Sequence, residues 1–208
     1  MNALAPGFHA SPTALPLFFV MKSKRGRSKA APNKIQRRTM QDKALQNRVS
    51  ELRPSTGIER DSRKAIADSL ANVLSDSYVL FVNTQGLHWN VEGPLFYPIH
   101  KLTEEQYEDL FGAIDELAER IRTLGFPAPQ TFADFRERAV LDDLESGQTV
   151  KSTIEALIAG NEKLAERMRE AVHVAEEAND VKTADLLTER LGQHEENAWM
   201  LRATIAES

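Results

Sequence analysis

Residues 87–125 read LHWNVEGPLFYPIHKLTEEQYEDLFGAIDELAERIRTLG. This segment is interrupted at VEGPL, because Gly93 and Pro94 are both residues that end helices. Beyond the interruption, apolar side chains recur every three or four residues, which predicts a helix from about Phe96 to Leu124. Since only a short turn precedes it, this helix is expected to fold back against the helix before it.

The same apolar periodicity extends along the chain on both sides of the quoted segment. The other expected elements are a first helix from Asp61 to about Trp89, a short helix from Ala133 to Arg138, a third long helix from about Thr149 to Glu177, and a fourth from the Asn179-Asp180 turn to the chain end. No stretch shows the alternation typical of strands. The sequence therefore predicts an all-α, four-helix bundle over residues 59–208.

The formal net charge of −5 is the sum of two regions of opposite sign. Residues 1–60 carry twelve Lys or Arg and three Asp or Glu, whereas the rest of the chain carries fourteen and twenty-eight. No aromatic residue occurs between Phe19 and Tyr78. A segment this polar and like-charged cannot bury enough apolar surface to offset its ordering entropy, so we predict a disordered basic arm over residues 1–58.

Several classes of protein are excluded by composition. The chain has no cysteine, which excludes disulfide scaffolds, thiolate zinc sites and cysteine nucleophiles and leaves His, Asp and Glu as metal ligands. No uninterrupted apolar run approaches the roughly 20 residues that span a bilayer, so we expect a soluble protein with no membrane partner. The N-terminal apolar stretch precedes the basic residues, the wrong order for a secretory signal, and we expect Met21 to be the native start.

Two histidines and two carboxylates within residues 87–125 form a candidate metal site. Asp115 and Glu119 are one helical turn apart, about 6 Å, and share a face that suits a common cation. His100 lies fifteen residues earlier on the same helix, roughly 22 Å away at 1.5 Å per residue, and His88 lies before the turn. One chain cannot bring all four to one metal. Two copies packed antiparallel about a two-fold axis would form two identical His/carboxylate sites.

This ligand set suits Fe(II), Mn(II) or Zn(II), and spacing alone does not choose among them. A satisfied core histidine, a helix cap or a surface ion pair would explain any one of the four residues taken singly. That explanation is weak for the four residues together, because their spacing is consistent with one arrangement, the shared site of a two-fold dimer.

The quoted segment resembles the Dps family, the ferritin-like DNA-binding proteins from starved cells, and the resemblance covers about residues 60–205. The family has a His beside Trp-Asn, a second His twelve residues later, an Asp after fifteen more and a Glu after four more, matched here by His88, His100, Asp115 and Glu119. The resemblance implies a ferritin-like bundle in which these catalytic residues form a two-iron ferroxidase centre between subunits. It also implies a hollow shell of twelve subunits that oxidises Fe(II), preferentially with hydrogen peroxide, and stores the ferric mineral.

Two neighbours of this centre follow from the same resemblance. Many relatives carry an Asp four residues after the second His, where this chain has Glu104, whose side chain is one methylene longer. This departure concerns the second iron position, which binds iron more weakly than the first in the family. Trp89 corresponds to a residue that packs by the site and can donate electrons in the family. A plain interface aromatic is the alternative interpretation of Trp89.

The resemblance also implies an entry route for iron. The three-fold pores of the family are lined by acidic residues at the start of the last helix, where this chain has Asp180, Asp185 and Glu189. Carboxylates there would attract Fe(II) through a negative field, although Asp180 also suits an N-cap and Glu189 a solvated helix face. The other histidines of the bundle, His173 and His194, are expected to be structural or at subunit contacts.

The basic arm points to DNA as a partner. Its densest part holds eight basic residues within seventeen positions: Lys22, Lys24, Arg25, Arg27, Lys29, Lys34, Arg37 and Arg38. Such a segment neutralises phosphates without reading sequence, so we expect non-specific, salt-dependent DNA binding. A solubilising or shell-stabilising tail is the alternative. A cytoplasmic, nucleoid-associated protein is expected.

Three functions remain open on the sequence alone. The first is a ferroxidase and iron store that also coats DNA. The second is an architectural DNA-compacting protein with a structural metal site, which the intact ligand set disfavours. The third is a ferroxidase that does not bind DNA, which the basic arm disfavours.

Overall fold

The protein is helical throughout the residues that its computed structural model describes, 51–145 and 147–206. These ranges contain four long helices, one short helix and no strand. The elements are α1 (Arg60–Asn90), α2 (Phe96–Thr123), α3 (Phe132–Arg138), α4 (Val150–Glu177) and α5 (Val181–Thr204). The predicted all-α class is confirmed, and each expected helix is present close to its expected bounds.

The four long helices pack as two hairpins. Five residues join α1 to α2 and three join α4 to α5, so each pair runs antiparallel. α1 also packs against α4, and α2 against α5, which closes the four-helix bundle. Each long helix contributes fully buried leucines to the core, among them Leu70, Leu117, Leu164 and Leu187.

Local side-chain and backbone features fix where the helices start and stop. Thr131 forms a capping box with Asp134 at the start of α3, and Thr149 accepts the N–H of Ser152 at the start of α4. Gly93 has a φ of 85°, the left-handed conformation that glycine adopts without strain. The turn at Gly93 brings the last turn of α1 beside the first turn of α2.

Helix α3 and the residues after it are held against α1. Asp76 is fully buried, and its Oδ1 accepts the N–H groups of Val140 at 2.8 Å and Leu141 at 3.1 Å. Phe135 of α3 stacks on Tyr78 of α1 with 4.2 Å between ring centroids. These contacts fix α3 on the side of the bundle.

Helix α1 has the length and apolar content of a membrane-spanning helix, and among the helices of the described ranges it alone does. Of its most apolar window, however, 61% is buried inside the bundle. A helix that packs against several others is apolar over more of its surface than a helix at the edge of a bundle. Its apolar content is therefore that of a core helix.

Residues 51–58, which we assigned to the arm, contact the start of α1 and the residue that follows the end of α2. The N–H of Leu52 donates to the carbonyl oxygen of Gly125 at 2.6 Å, and Glu51 accepts two hydrogen bonds of 2.8 Å from Arg60. Gly125 has a φ of 103°, and a Cβ there would lie 2.7 Å from the Leu52 carbonyl oxygen. Within the described residues the packed part of the chain therefore starts at Glu51, earlier than the boundary expected at residue 58.

Candidate metal centre

His88 and His100 lie in contact although twelve residues separate them. His88 is in the last turn of α1 and His100 in the first two turns of α2, and the turn at Gly93 reverses the chain between them. His88 is buried and His100 half-buried. The structure thus brings together the two histidines that the sequence placed on either side of this turn.

Each histidine of the pair bonds to the backbone of the other. The Nδ1 of His88 lies 2.8 Å from the carbonyl oxygen of His100, and the Nδ1 of His100 lies 2.9 Å from that of His88. A carbonyl oxygen only accepts hydrogen bonds, so both Nδ1 atoms carry the proton and donate. In its neutral form each ring therefore keeps the Nε2 lone pair, and this is the form in which histidine binds a metal.

Aromatic side chains hold the two imidazoles from both sides. The ring of Phe96 stacks on His100 with 5.2 Å between centroids, and the ring of Tyr107 meets His88 edge-on at 5.1 Å. The sequence analysis did not single out either residue. Tyr107 follows His100 by two helical turns, a spacing that identifies it as a neighbour on the same helix face.

The stacking geometry of the pair determines how it can bind metal. The rings are 3.9 Å apart between centroids and 15° from parallel. An ion bound through Nε2 lies near the plane of its own ring, so one ion cannot lie in both of these planes. The pair suits two ions, one on each ring, and the ring separation is close to the roughly 3.5–4 Å typical of two-metal sites.

The candidate carboxylates lie at the far end of α2. Asp115 and Glu119 are both exposed, one turn apart. Because α2 is continuous from Phe96 to Thr123, the helical rise puts Asp115 roughly 22 Å from His100. Within the described part of the chain, no three His, Asp or Glu side chains come close enough to hold one metal ion. A single subunit therefore keeps the two halves of the predicted centre apart.

Glu104 lies one turn after His100, on the side of α2 that carries the histidine pair. Its carboxylate forms an ion pair with Lys101, and that hydrogen bond holds the pKa of Glu104 below its usual value. The nearby His88 and His100 lower the pKa of Glu104 further. Glu104 is thus a deprotonated carboxylate beside the pair, already engaged by a lysine that the sequence analysis overlooked.

Large apolar side chains are exposed on α1, α2 and α3 in the single subunit. Trp89, beside His88, is 67% exposed in the single subunit. A groove of about 860 Å³ runs between α2 and α3, and Asp115 lines it together with apolar side chains. The large apolar residues exposed on these three helices are Val82, Trp89, Phe96, Tyr97, Phe111 and Phe132.

The three acidic residues predicted to line a pore differ in their surroundings. Asp180 is 3% exposed, caps α5 by accepting the N–H of Thr183, and pairs with Arg120 at 2.6 and 2.8 Å. Burial alone would raise the pKa of Asp180, but the bonds from Arg120 and Thr183 outweigh it and lower that pKa. Its carboxylate is therefore engaged in capping rather than presented to solvent, whereas Asp185 and Glu189 are exposed.

The remaining histidines of the bundle differ from the candidate ligands. His194 lies fully buried in the core, and its Nδ1 is 2.8 Å from Oδ1 of Asn161. Burial, aided by the charge of Arg190, lowers the pKa of His194 to about 3. His173 is exposed on α4, 3.8 Å from a carboxylate oxygen of Glu176. His194 is thus structural, as expected.

The predicted DNA-binding residues, from Lys22 to Arg38, lie outside the described residues, and so does Met21.

The chain matches a known family model and several individual proteins. The family model of the ferritin-like domain matches residues 67–207. The chain is 38% identical over 156 residues to an uncharacterized low temperature-induced protein of Nostoc sp., covering 74% of this chain and 87% of that one. It is 31% identical over 142 residues to DNA protection during starvation protein 2 of Bacillus anthracis, covering 68% and 97%.

A solved structure agrees with the sequence matches. The crystal structure of a Dps protein from Vibrio cholerae, described as a member of a broad superfamily of ferritin-like diiron-carboxylate proteins, has a TM-score of 0.70 and 30% identity to this chain. The match covers 77% of this chain and 99% of that one. The similarity therefore extends over nearly the whole bundle.

Proposed function

This chain belongs to the Dps family of ferritin-like proteins, and we propose that it is a ferroxidase that oxidises Fe(II), stores ferric iron in a hollow shell and protects DNA. One observation carries the proposal. The paired Nδ1 bonds of His88 and His100 leave two Nε2 lone pairs on stacked rings, a geometry suited to two metal ions. The diiron-carboxylate description of the Vibrio cholerae relative supports iron as the metal.

The centre is completed between two subunits in this proposal. A two-fold axis near the middle of α2 would bring the His88 and His100 end of one subunit to the Asp115 and Glu119 end of the other. The exposed apolar side chains on α1, α2 and α3 support this pairing, because such a surface is typical of a subunit interface. We propose that the dimers built in this way assemble into a dodecamer.

Hydrogen peroxide is the proposed oxidant. Two Fe(II) ions held side by side supply the two electrons that one peroxide molecule needs, and with two protons from solvent the products are two waters and two Fe(III). Because both electrons come from one centre, peroxide is reduced to water without release of hydroxyl radical. The stacked histidines support this chemistry, because two parallel rings 3.9 Å apart between centroids could each carry one ion.

Iron entry is proposed at the exposed carboxylates near the start of α5. Asp185 and Glu189 are one turn apart on its solvent side, and carboxylates around a pore would attract Fe(II) by focusing a negative field. Asp180 is left out of this role, because Arg120 already neutralises its buried carboxylate.

The basic residues from Lys22 to Arg38 are proposed to bind DNA without sequence preference. The bundle itself is acidic, with twenty-eight Asp or Glu and fourteen Lys or Arg after residue 60, and is expected to repel phosphates. We therefore propose a cytoplasmic protein that associates with the nucleoid through its N-terminal residues.

The proposal is tested by replacing both histidines. His88→Ala with His100→Ala removes both nitrogen ligands, and we expect peroxide-driven Fe(II) oxidation, followed by absorbance of the ferric product, to slow by at least about 100-fold while the particle size persists. Wild-type rates in this variant would refute the ferroxidase assignment.

A second variant guards against damage to the fold, since the two histidines also join α1 to α2. Asp115→Asn with Glu119→Gln changes two exposed side chains and leaves the helix hairpin intact. We expect the same loss of oxidation from it. Retained oxidation in both double variants would place the chemistry elsewhere.

A further inference from the structure

We propose that Lys101 weakens the second metal position of the ferroxidase centre by holding the carboxylate of Glu104. This inference rests on the function proposed above. It assigns to Lys101 the role of a positioning residue that acts through Glu104.

The contact lies at the edge of the histidine pair. Lys101 follows His100 directly, and Glu104 lies one turn after His100 on the same helix. The Nζ of Lys101 donates to Oε2 of Glu104, with the two side chains 50% and 32% exposed. At this i, i+4 spacing the side chains of His100 and Glu104 are neighbours on one face of α2.

A carboxylate held by an ammonium group must give up that hydrogen bond before it can ligate a metal. Glu104 follows His100 by one turn on the same face of α2, so it is the carboxylate of the same subunit placed to ligate an ion on that ring. Lys101 therefore competes with the second ion, while an ion bound by Asp115 and Glu119 of the partner subunit is not affected.

The expected size of the effect on second-ion binding follows from the exposure of the Lys101–Glu104 ion pair. Partly exposed ion pairs stabilise by an amount that corresponds to at most about a five-fold change in an equilibrium constant. Lys101→Ala should therefore tighten the binding of the second ion by up to about five-fold and leave the first unchanged. Lys101→Arg keeps a cation at the same spacing and should behave like the wild type.

The experiment is an anaerobic calorimetric titration of the full-length, assembled protein with Co(II), which binds His and carboxylate ligands and is not oxidised under these conditions. The matched control is Lys163→Ala, which removes the Lys163–Glu166 pair of the same spacing on α4. We expect tighter second-ion binding in Lys101→Ala and wild-type titrations in Lys101→Arg and Lys163→Ala.

A double-substitution cycle separates competition from simple charge repulsion. In a Glu104→Gln background the carboxylate is absent, so Lys101→Ala should no longer tighten the second ion. An equal gain in that background, or no gain in the single variant, would overturn the inference.

The two proposals fail in distinguishable ways. If the wild type binds two Co(II) ions per centre and loses both in the His88→Ala, His100→Ala variant, the centre stands whatever Lys101→Ala shows. If the wild type binds none, the centre and the role of Lys101 are both refuted.

Discussion

At His88 and His100 the backbone, rather than a side chain, fixes which ring nitrogen carries the proton. Metal-binding histidines often use a carboxylate for this purpose. Here each Nδ1 donates to the carbonyl oxygen of the other histidine, so the tautomer is set without adding negative charge. The charge of the proposed centre therefore comes only from its carboxylate ligands.

His194 makes the stability of the bundle depend on pH. Its pKa is about 3 in the folded protein, because of burial and the Arg190 charge, against 6.5 for an ordinary histidine. Between these values the unfolded chain binds a proton that the folded chain does not, so stability falls as the pH drops below about 6.5. We expect a loss of up to about 1.4 kcal/mol per pH unit and per subunit, measured by urea unfolding between pH 4 and 7.

The comparison for this measurement is His194→Gln, which has no titrating ring. The variant should be less stable than the wild type at pH 7, because the buried contact with Asn161 is disturbed. Its stability should fall less steeply between pH 6.5 and 4. Equal slopes in the two proteins would show that other groups dominate the acid response.

At the scale of elements, α2 carries both halves of the candidate centre. The sequence was sufficient to predict this, because the helical period relates His100 to Asp115 by rise and angle alone. It was also sufficient for the helix order, since Gly93, the Asn179-Asp180 turn and the apolar periodicity are local signals.

The contacts that the sequence could not reveal join residues far apart in the chain or involve backbone atoms. The ion pair that engages Asp180 comes from Arg120, sixty residues away. The histidine pair is held by carbonyl oxygens, which every residue type possesses. The residues from Glu51 to Ile58 resembled the arm because most of them are polar, and only the fold shows their contacts with α1 and with Gly125 after α2.

The end of α2 depends on the glycine at position 125. Gly125→Ala would place a Cβ 2.7 Å from the Leu52 carbonyl oxygen at a φ of 103°. We expect a loss of about 1–3 kcal/mol in the free energy of unfolding, measured by urea denaturation. Gly192→Ala, in the middle of α5 with nothing within 4 Å of the added Cβ, is the control and should not destabilise the subunit. If both variants were equally stable, residues 51–54 would not be packed here in solution.

At the scale of the whole molecule, the division of the centre between subunits predicts complementation. One variant lacks both histidines (His88→Ala, His100→Ala) and the other lacks both carboxylates (Asp115→Asn, Glu119→Gln). A mixed dimer would contain one intact centre and one without ligands, because an isologous interface exchanges the same residues in both directions. Unfolding and co-refolding equal amounts should therefore restore about a quarter of the wild-type oxidation rate.

Neither variant refolded alone should recover activity. A mixture as inactive as its components, with assembly verified by particle size, would show that each centre draws its ligands from one subunit.

The charge division along the chain predicts the effect of truncation. A chain that begins at Glu51 keeps the contacts with Arg60 and Gly125 but lacks the ten lysines and arginines of residues 1–50. It should assemble and oxidise Fe(II) normally, yet no longer retard DNA on a gel at low salt. Undiminished retardation would place the DNA-binding surface on the bundle.

The distance of roughly 22 Å along α2 also determines when a newly made chain becomes active. On the proposed assembly, a lone subunit holds histidines at one end of the helix and carboxylates at the other, and it completes no centre. Oxidation then has to wait until subunits have met. Ferric product would form only where two subunits have paired, so an unpaired chain in the cell could not seed mineral.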